Sequence, residues 1–210
     1  MKNKYPNLIP VFPLSGVIYF PETNLPLNIF EPRYLDLIND TLKKDKLMGM
    51  VQAKRDSNEV YNVGCLGKIN DYKKTNDGRV LVNLMGITRF EIKKEIKNKK
   101  LYREFEVDYE KFKEDFEKNN NIFLGDNNFK SLLEKTKVFF KKNGLLLNWP
   151  EFEKLDRLQQ INTIAMISPV TNEEKQKVLE TVTNKDKTEI LSNIIEFYLY
   201  EKNSAKITIN

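Results

Sequence analysis

Apolar positions in the first half of the chain recur at every second residue in short runs, and in the second half at every third or fourth, so the period of the pattern changes once. Leu8 to Phe12 and Val17 to Phe20 are short, β-branched or aromatic, and punctuated by proline and glycine, which predicts strands with tight connections. A helix is predicted to begin at Pro32. Asn28 and Glu31 stand where a helix start takes polar caps, Pro32 suits a first turn that needs no backbone donor, and Tyr34, Leu35, Leu37, Ile38 and Leu42 follow at helical spacing. Leu47 to Lys54 reads as a strand. Asn76-Asp77-Gly78 predicts a hairpin turn between Lys68 to Lys74 and Arg79 to Met85, because these residues take positive φ cheaply. A second hairpin is expected from Thr88 to Ile96 and Leu101 to Tyr109, turning at Asn98-Lys99-Lys100.

Glu110 to Asn121 is charged and ends in three asparagines, so a boundary falls there: a β-rich domain over 1–112, a linker over 113–125, helices over 126–203 and a flexible tail over 204–210. Asp126 is placed to cap a helix bearing Phe129, Leu132, Leu133, Thr136, Phe139 and Phe140 that stops at Asn143-Gly144. Asn148, Trp149 and Pro150 open one continuous helix through Leu155, Leu158, Ile161, Ile164 and Ala165, halted at Ser168-Pro169. Thr171 and Glu174 have capping-box spacing before a helix with Val178, Leu179 and Val182, and a last helix from about Asn184 presents Ile190, Leu191, Ile194, Ile195, Tyr198 and Leu199.

Composition narrows the chemistry. The chain of 210 residues has one cysteine, Cys65, and no histidine, which excludes an internal disulfide and a cysteine-based zinc cage and removes the commonest general base near neutral pH. No metal or cofactor is therefore expected. No apolar run reaches the length that spans a bilayer or makes a signal peptide, so a cytoplasmic protein without membrane contact is expected. The net charge of +5 comes with scattered arginines, a poor footprint for a nucleic-acid face. No phosphate-cradling loop is present: Gly67-Lys68-Ile69 has Asn62 where the first glycine would stand and lacks the hydroxyl.

Five segments carry a family resemblance: Pro10-Val11-Phe12-Pro13-Leu14, Asn28-Ile29-Phe30-Glu31-Pro32-Arg33-Tyr34, Gly64-Cys65-Leu66-Gly67-Lys68-Ile69, Asp77-Gly78-Arg79 and Gly86-Ile87-Thr88-Arg89-Phe90. In this order and spacing they resemble the Lon amino-terminal domain, the substrate-binding module that precedes the ATPase in Lon proteases and also occurs as a separate protein. Asn162-Thr163-Ile164-Ala165 before Ser168-Pro169, and the stretch Glu174 to Glu180, extend the likeness into the helical half. The resemblance implies an α+β fold, an amino-terminal PUA-like β pseudobarrel with one early helix followed by a carboxyl-terminal α-helical bundle. It implies a non-enzymatic module that engages extended or unfolded polypeptide, with neither the ATPase nor the Ser-Lys protease domain, and a separate protease or ATPase as a further partner. By proximity to these motifs, Leu27, Phe30, Tyr34, Met85 and Phe90 are the expected peptide-binding residues. Glu31, Pro32, Arg33, Gly64, Gly78, Gly86 and Arg89 are expected to be structural, Glu31 and Arg33 by capping and bracing the helix entry. Cys65 reads as a buried small hydrophobe. The alternative reading is RNA binding through the basic hairpin Lys93 to Lys100, set against its use as a soluble edge device.

Overall fold

The computed structural model describes residues 5–116 and 126–204. The chain divides into two compact units, the first ending at Phe116.

The first unit contains six strands, β1 (Leu8–Leu14), β2 (Asn24–Ile29), β3 (Leu47–Ala53), β4 (Val60–Lys74), β5 (Val80–Ile96) and β6 (Arg103–Asp108), with one helix, α1 (Pro32–Leu42). Their order is β2-β5-β4-β3-β1-β6, and β6 pairs back onto β5, so five strands close into a pseudobarrel and β2 is added at one edge. Closure depends on the length of β5. Its first half lies between β2 and β4, and its second half, from Glu91 to Ile96, pairs with β6. Register shifts at Leu66/Gly67, Ile69/Asp71 and Ile92/Lys94 bend the long strands as a closing sheet requires. β1 and β3 run parallel, and β2 and α1 form the connection between them.

Two glycines permit this path through close approach. A Cβ on Gly86 would lie 2.3 Å from the Phe20 carbonyl oxygen, and one on Gly64 2.4 Å from that of Met50. The expected hairpin turn forms at Thr75 to Arg79, with Gly78 at φ +84° and Asp77 accepting from the Arg79 guanidinium at 2.7 Å. These hydrogen bonds, with another from Thr75, hold the Asp77 carboxyl below the usual carboxylate range. Ile9, Val11, Leu66, Phe90, Phe105 and Val107 meet in the barrel core.

Three expectations change here. Val17 to Phe20 is not a strand: Ile18, Tyr19 and Phe20 are buried in an irregular connection, and the strand lies further on, at Asn24–Ile29. Pro26 hid it, and a proline is tolerated because β2 has a ladder partner on one side only. Thr88 to Ile96 and Arg79 to Met85 are parts of one strand, which runs straight through Gly86. Residues 113–116 are not linker. Glu110–Phe116 forms two short 3-10 turns, kinked at Phe112, that strap the barrel. The rest of the expected linker, 117–125, and the tail beyond Ser204 lie outside the described residues.

That strap is fastened by a buried ion pair. The Arg89 side chain on β5 and Asp115 on the strap are 0% and 1% exposed. Arg89 Nη2 donates to Asp115 Oδ1 at 2.7 Å, its Nε to Oδ2 at 3.0 Å, and its backbone N–H to the same oxygen at 2.8 Å. The guanidinium also stacks over the Phe112 ring, 4.4 Å from its centroid.

The second unit holds α2 (Asp126–Lys142), α3 (Trp149–Phe152), α4 (Arg157–Ile167), α5 (Asn172–Glu180) and α6 (Asn184–Ser204). Phe129, Leu132, Thr136, Phe139 and Phe140 form the buried stripe of α2, which ends with Gly144 at φ +69°. The helix expected from Asn148 to Ile167 is two helices. Asp156 caps α4 through a box with Gln159, and the Gln160 amide donates to the Leu155 carbonyl at 2.7 Å inside the break. The Thr171–Glu174 box forms as expected, but α5 stops at Glu180, so Val182 lies beyond it and is exposed. Lys187 on α6 is wholly buried and donates to Asn162 Oδ1 at 3.2 Å.

Candidate functional site

Helix α1 lies beside the barrel, and three neighbouring depressions follow it from its first turn to the loop after its last. The largest, about 750 Å³, lies between the end of β1, the first turn of α1, the β3–β4 loop and the β5–β6 hairpin. A second of about 440 Å³ and a third of about 200 Å³ lie toward the end of α1, by Lys43 and Asp45 respectively. Tyr102 lines all three, Leu101 the first two and Asp40 the second and third. The three adjoin at Tyr102 and are together termed the α1 groove.

The floor is aromatic where α1 begins. Phe12 and Tyr34 stack with centroids 3.9 Å apart, the Arg33 guanidinium sits 4.6 Å from the Tyr34 centroid, and the Tyr34 hydroxyl donates to the Pro13 carbonyl at 3.4 Å. Burial raises the Tyr34 phenol above its ordinary value. Where the three adjoin, the Tyr102 hydroxyl donates to Asp40 Oδ2 at 2.9 Å, and this bond holds the Asp40 carboxyl below the usual range. Leu101 is 64% exposed and stands at the crest.

Charges that line the largest depression are paired. Arg103 makes a two-pronged contact with Glu95, both bonds 2.7 Å, and its third nitrogen donates to the Asn58 carbonyl at 2.9 Å, tying the β3–β4 loop to the hairpin. Arg33 binds Glu31 at 2.8 Å, and Lys100 binds Glu104 at 2.6 Å. Such a groove can hold a chain by shape, with a mainly polar lining and apolar contact at Phe12, Tyr34 and Leu101. Among the described residues there is no group of three or more acidic, histidine or cysteine side chains able to hold a metal ion.

The expected binding residues separate. Phe90 is fully enclosed in the barrel core and Tyr34 is buried, so neither offers a surface of the kind expected; of the five, only Tyr34 lines the groove. Leu27 pairs with Val82 and Met85 with Asn24, which by strand alternation places them on opposite faces of the β2–β5 ladder. Phe30 is 63% exposed but does not line these clefts. Glu31 occupies the N-cap of α1 without capping it: its carbonyl accepts from Tyr34 and Leu35, while its carboxylate turns to Arg33. Pro32 takes the first helical turn as expected. Cys65 is buried. The residues the sequence reading missed are Leu101, Tyr102, Arg103 and Asp40. Their signal was the Leu101-Tyr102-Arg103 run, an apolar pair and an arginine directly after a lysine-rich turn.

A closed, strapped barrel with a grooved flank and a separate set of helices defines an α+β module of the pseudobarrel type. The family model for the ATP-dependent protease La (LON) substrate-binding domain matches residues 8–196, and the chain belongs to that family. It is 27% identical over 197 residues to the Lon protease of Buchnera aphidicola subsp. Acyrthosiphon pisum, covering 90% of this chain and 25% of that protein. It is 24% identical over 213 residues to the Lon protease of Syntrophus aciditrophicus, covering 93% of this chain and 26% of that protein. The chain thus spans about a quarter of the length of the curated relatives it matches. Among solved structures, the Lon N-terminal domain protein from Xanthomonas campestris superposes with a TM-score of 0.66 at 20% identity, over 88% of this chain and 96% of that one. The N-terminal domain of a Mycobacterium avium complex Lon protease does so at 0.63 and 16%, over 90% and 98%. No helix among the described residues is long and apolar enough to cross a membrane.

Proposed function

We propose that this chain is a non-catalytic module that binds extended or unfolded polypeptide in the groove along α1. The observation that carries the reading is the make-up of the largest cleft: an aromatic floor, one exposed leucine and charges that already have partners. An unfolded chain offers alternating side chains and free backbone groups that such a cleft takes together. The 11 residues of α1 make a helix about 16 Å long at ~1.5 Å per residue, enough for about five residues of extended chain at ~3.3 Å each. In the cytoplasm, the same grip would make it an adaptor that hands clients to a separate protease or ATPase, which co-purification tests.

The basic hairpin supports RNA binding less well. Lys93 pairs with Glu91 and Asp108, and Lys100 with Glu104, so two of the hairpin's five lysines face carboxylates of the same sheet. Titration of a labelled, permanently unfolded protein separates the two readings. Polypeptide capture predicts micromolar binding that holds between low and physiological salt and weakens in Leu101→Ser. No binding sinks the reading, and a fall of orders of magnitude with salt, matched by RNA competition, transfers it to nucleic acid.

A further inference from the structure

The two arginines of the largest cleft are both occupied by carboxylates on the same wall. Arg33 donates to Glu31 from Nε and Nη2 at 3.0 and 2.8 Å, and Arg103 donates to Glu95 in the same two-pronged way. Glu59, the remaining charge in the lining, is held by Lys54 at 2.8 Å. Stability does not account for the Arg33–Glu31 pair. Both side chains are about half exposed, Glu31 gives α1 no side-chain cap, and exposed pairs of this kind contribute little to folding.

What the pairs do is set the charge that a bound chain meets. An acidic side chain entering the cleft would have to displace a carboxylate from a charge-assisted bond already made. A basic one would face guanidinium groups whose carboxylates are engaged elsewhere. An uncharged segment disturbs neither pair. We propose that Glu31 and Glu95 are specificity-determining residues of this cleft: by occupying Arg33 and Arg103 they shut out acidic segments there and leave it to uncharged ones. This rests on the binding reading above.

The test uses the full chain and three labelled eight-residue peptides identical except for two central residues, Gln-Gln, Asp-Asp or Lys-Lys, read by fluorescence polarisation. The native protein is expected to favour the Gln-Gln peptide over the Asp-Asp peptide by about tenfold. Glu95→Gln or Glu31→Gln frees a guanidinium for the peptide carboxylates and is expected to narrow that gap by about tenfold at low salt, with the gap reopening at high salt. Glu31→Gln, whose carboxylate bonds only Arg33, serves if Glu95→Gln fails to fold. A native protein that does not discriminate, or a gap unchanged in the folded variants, overturns the assignment. If neither an unfolded protein nor any of the three peptides binds, the binding reading itself fails; if the unfolded protein binds and the peptides show no charge selection, only the specificity assignment fails.

Discussion

Removing Asp115 takes a buried carboxylate away from the Arg89 guanidinium in the barrel. In Asp115→Ala the Arg89 guanidinium, 0% exposed, keeps its charge and loses the carboxylate that receives its Nε, its Nη2 and its backbone N–H. Removing one partner of a buried pair costs about 3–5 kcal/mol, far above the ~0–1 kcal/mol of a surface pair. For a unit of this size, that is a melting point lower by about 10–20 °C at ~4 °C per kcal/mol. The only tryptophan, Trp149, lies on α3 in the second unit, so its fluorescence is the wrong probe. Amide hydrogen exchange along β4 and β5 during a urea titration follows the first unit directly. The paired variant Arg89→Met with Asp115→Leu removes both charges and fills the space with apolar atoms. It is expected to be about 1–3 kcal/mol more stable than Asp115→Ala, because desolvating the pair offsets most of what it contributes, although the backbone N–H of residue 89 still loses this acceptor. A loss below about 1 kcal/mol in Asp115→Ala, or a paired variant as unstable as the single one, would refute the claim that the strap is held by compensated burial.

Gly86→Ala sets a methyl group 2.3 Å from the Phe20 carbonyl, against backbone that cannot rotate away; a loss of about 2–4 kcal/mol in the same exchange experiment is expected, and a neutral result would show that the Phe20 connection gives. Asp156→Ala removes the box that starts α4 and is expected to cost the second unit about 1 kcal/mol, read by Trp149 fluorescence in urea; no change means the break after α3 needs no cap. Asp40 has a depressed folded value, so its contribution to stability is complete above the unfolded value and disappears as pH falls through the lower folded one, leaving neutral pH unaffected. Tyr102→Phe should move the Asp40 carbon-13 titration up toward the ordinary carboxylate range, and a titration that does not move denies the bond its role.

Periodicity and turn chemistry carried most of the fold into view. The Asn-Asp-Gly hairpin, the proline start of α1, the glycine end of α2 and the Thr171–Glu174 box rest on contacts within a few residues, so they can be read locally. What escaped depends on partners far along the chain. Pro26 argues against a strand until β2 is known to have one neighbour, and Asp115 reads as linker until it meets Arg89, 26 residues away. Val17 to Phe20 has strand-like composition because it is buried, although its backbone joins no ladder. The groove was harder still. Tyr102 and Asp40 are 62 residues apart and meet only once the sheet has closed, whereas the residues chosen by proximity to the motifs fell on different surfaces and in the core.

Because β1 pairs with β6 from Leu8↔Glu106 to Val11↔Arg103, nearly the entire first unit must be synthesised before the ring can shut. Walls contributed by Phe12 and Arg103 mean the same for the cleft. A nascent chain released short of residue 103 would thus present strands without a grip, resembling the clients of the finished protein more than the finished protein itself.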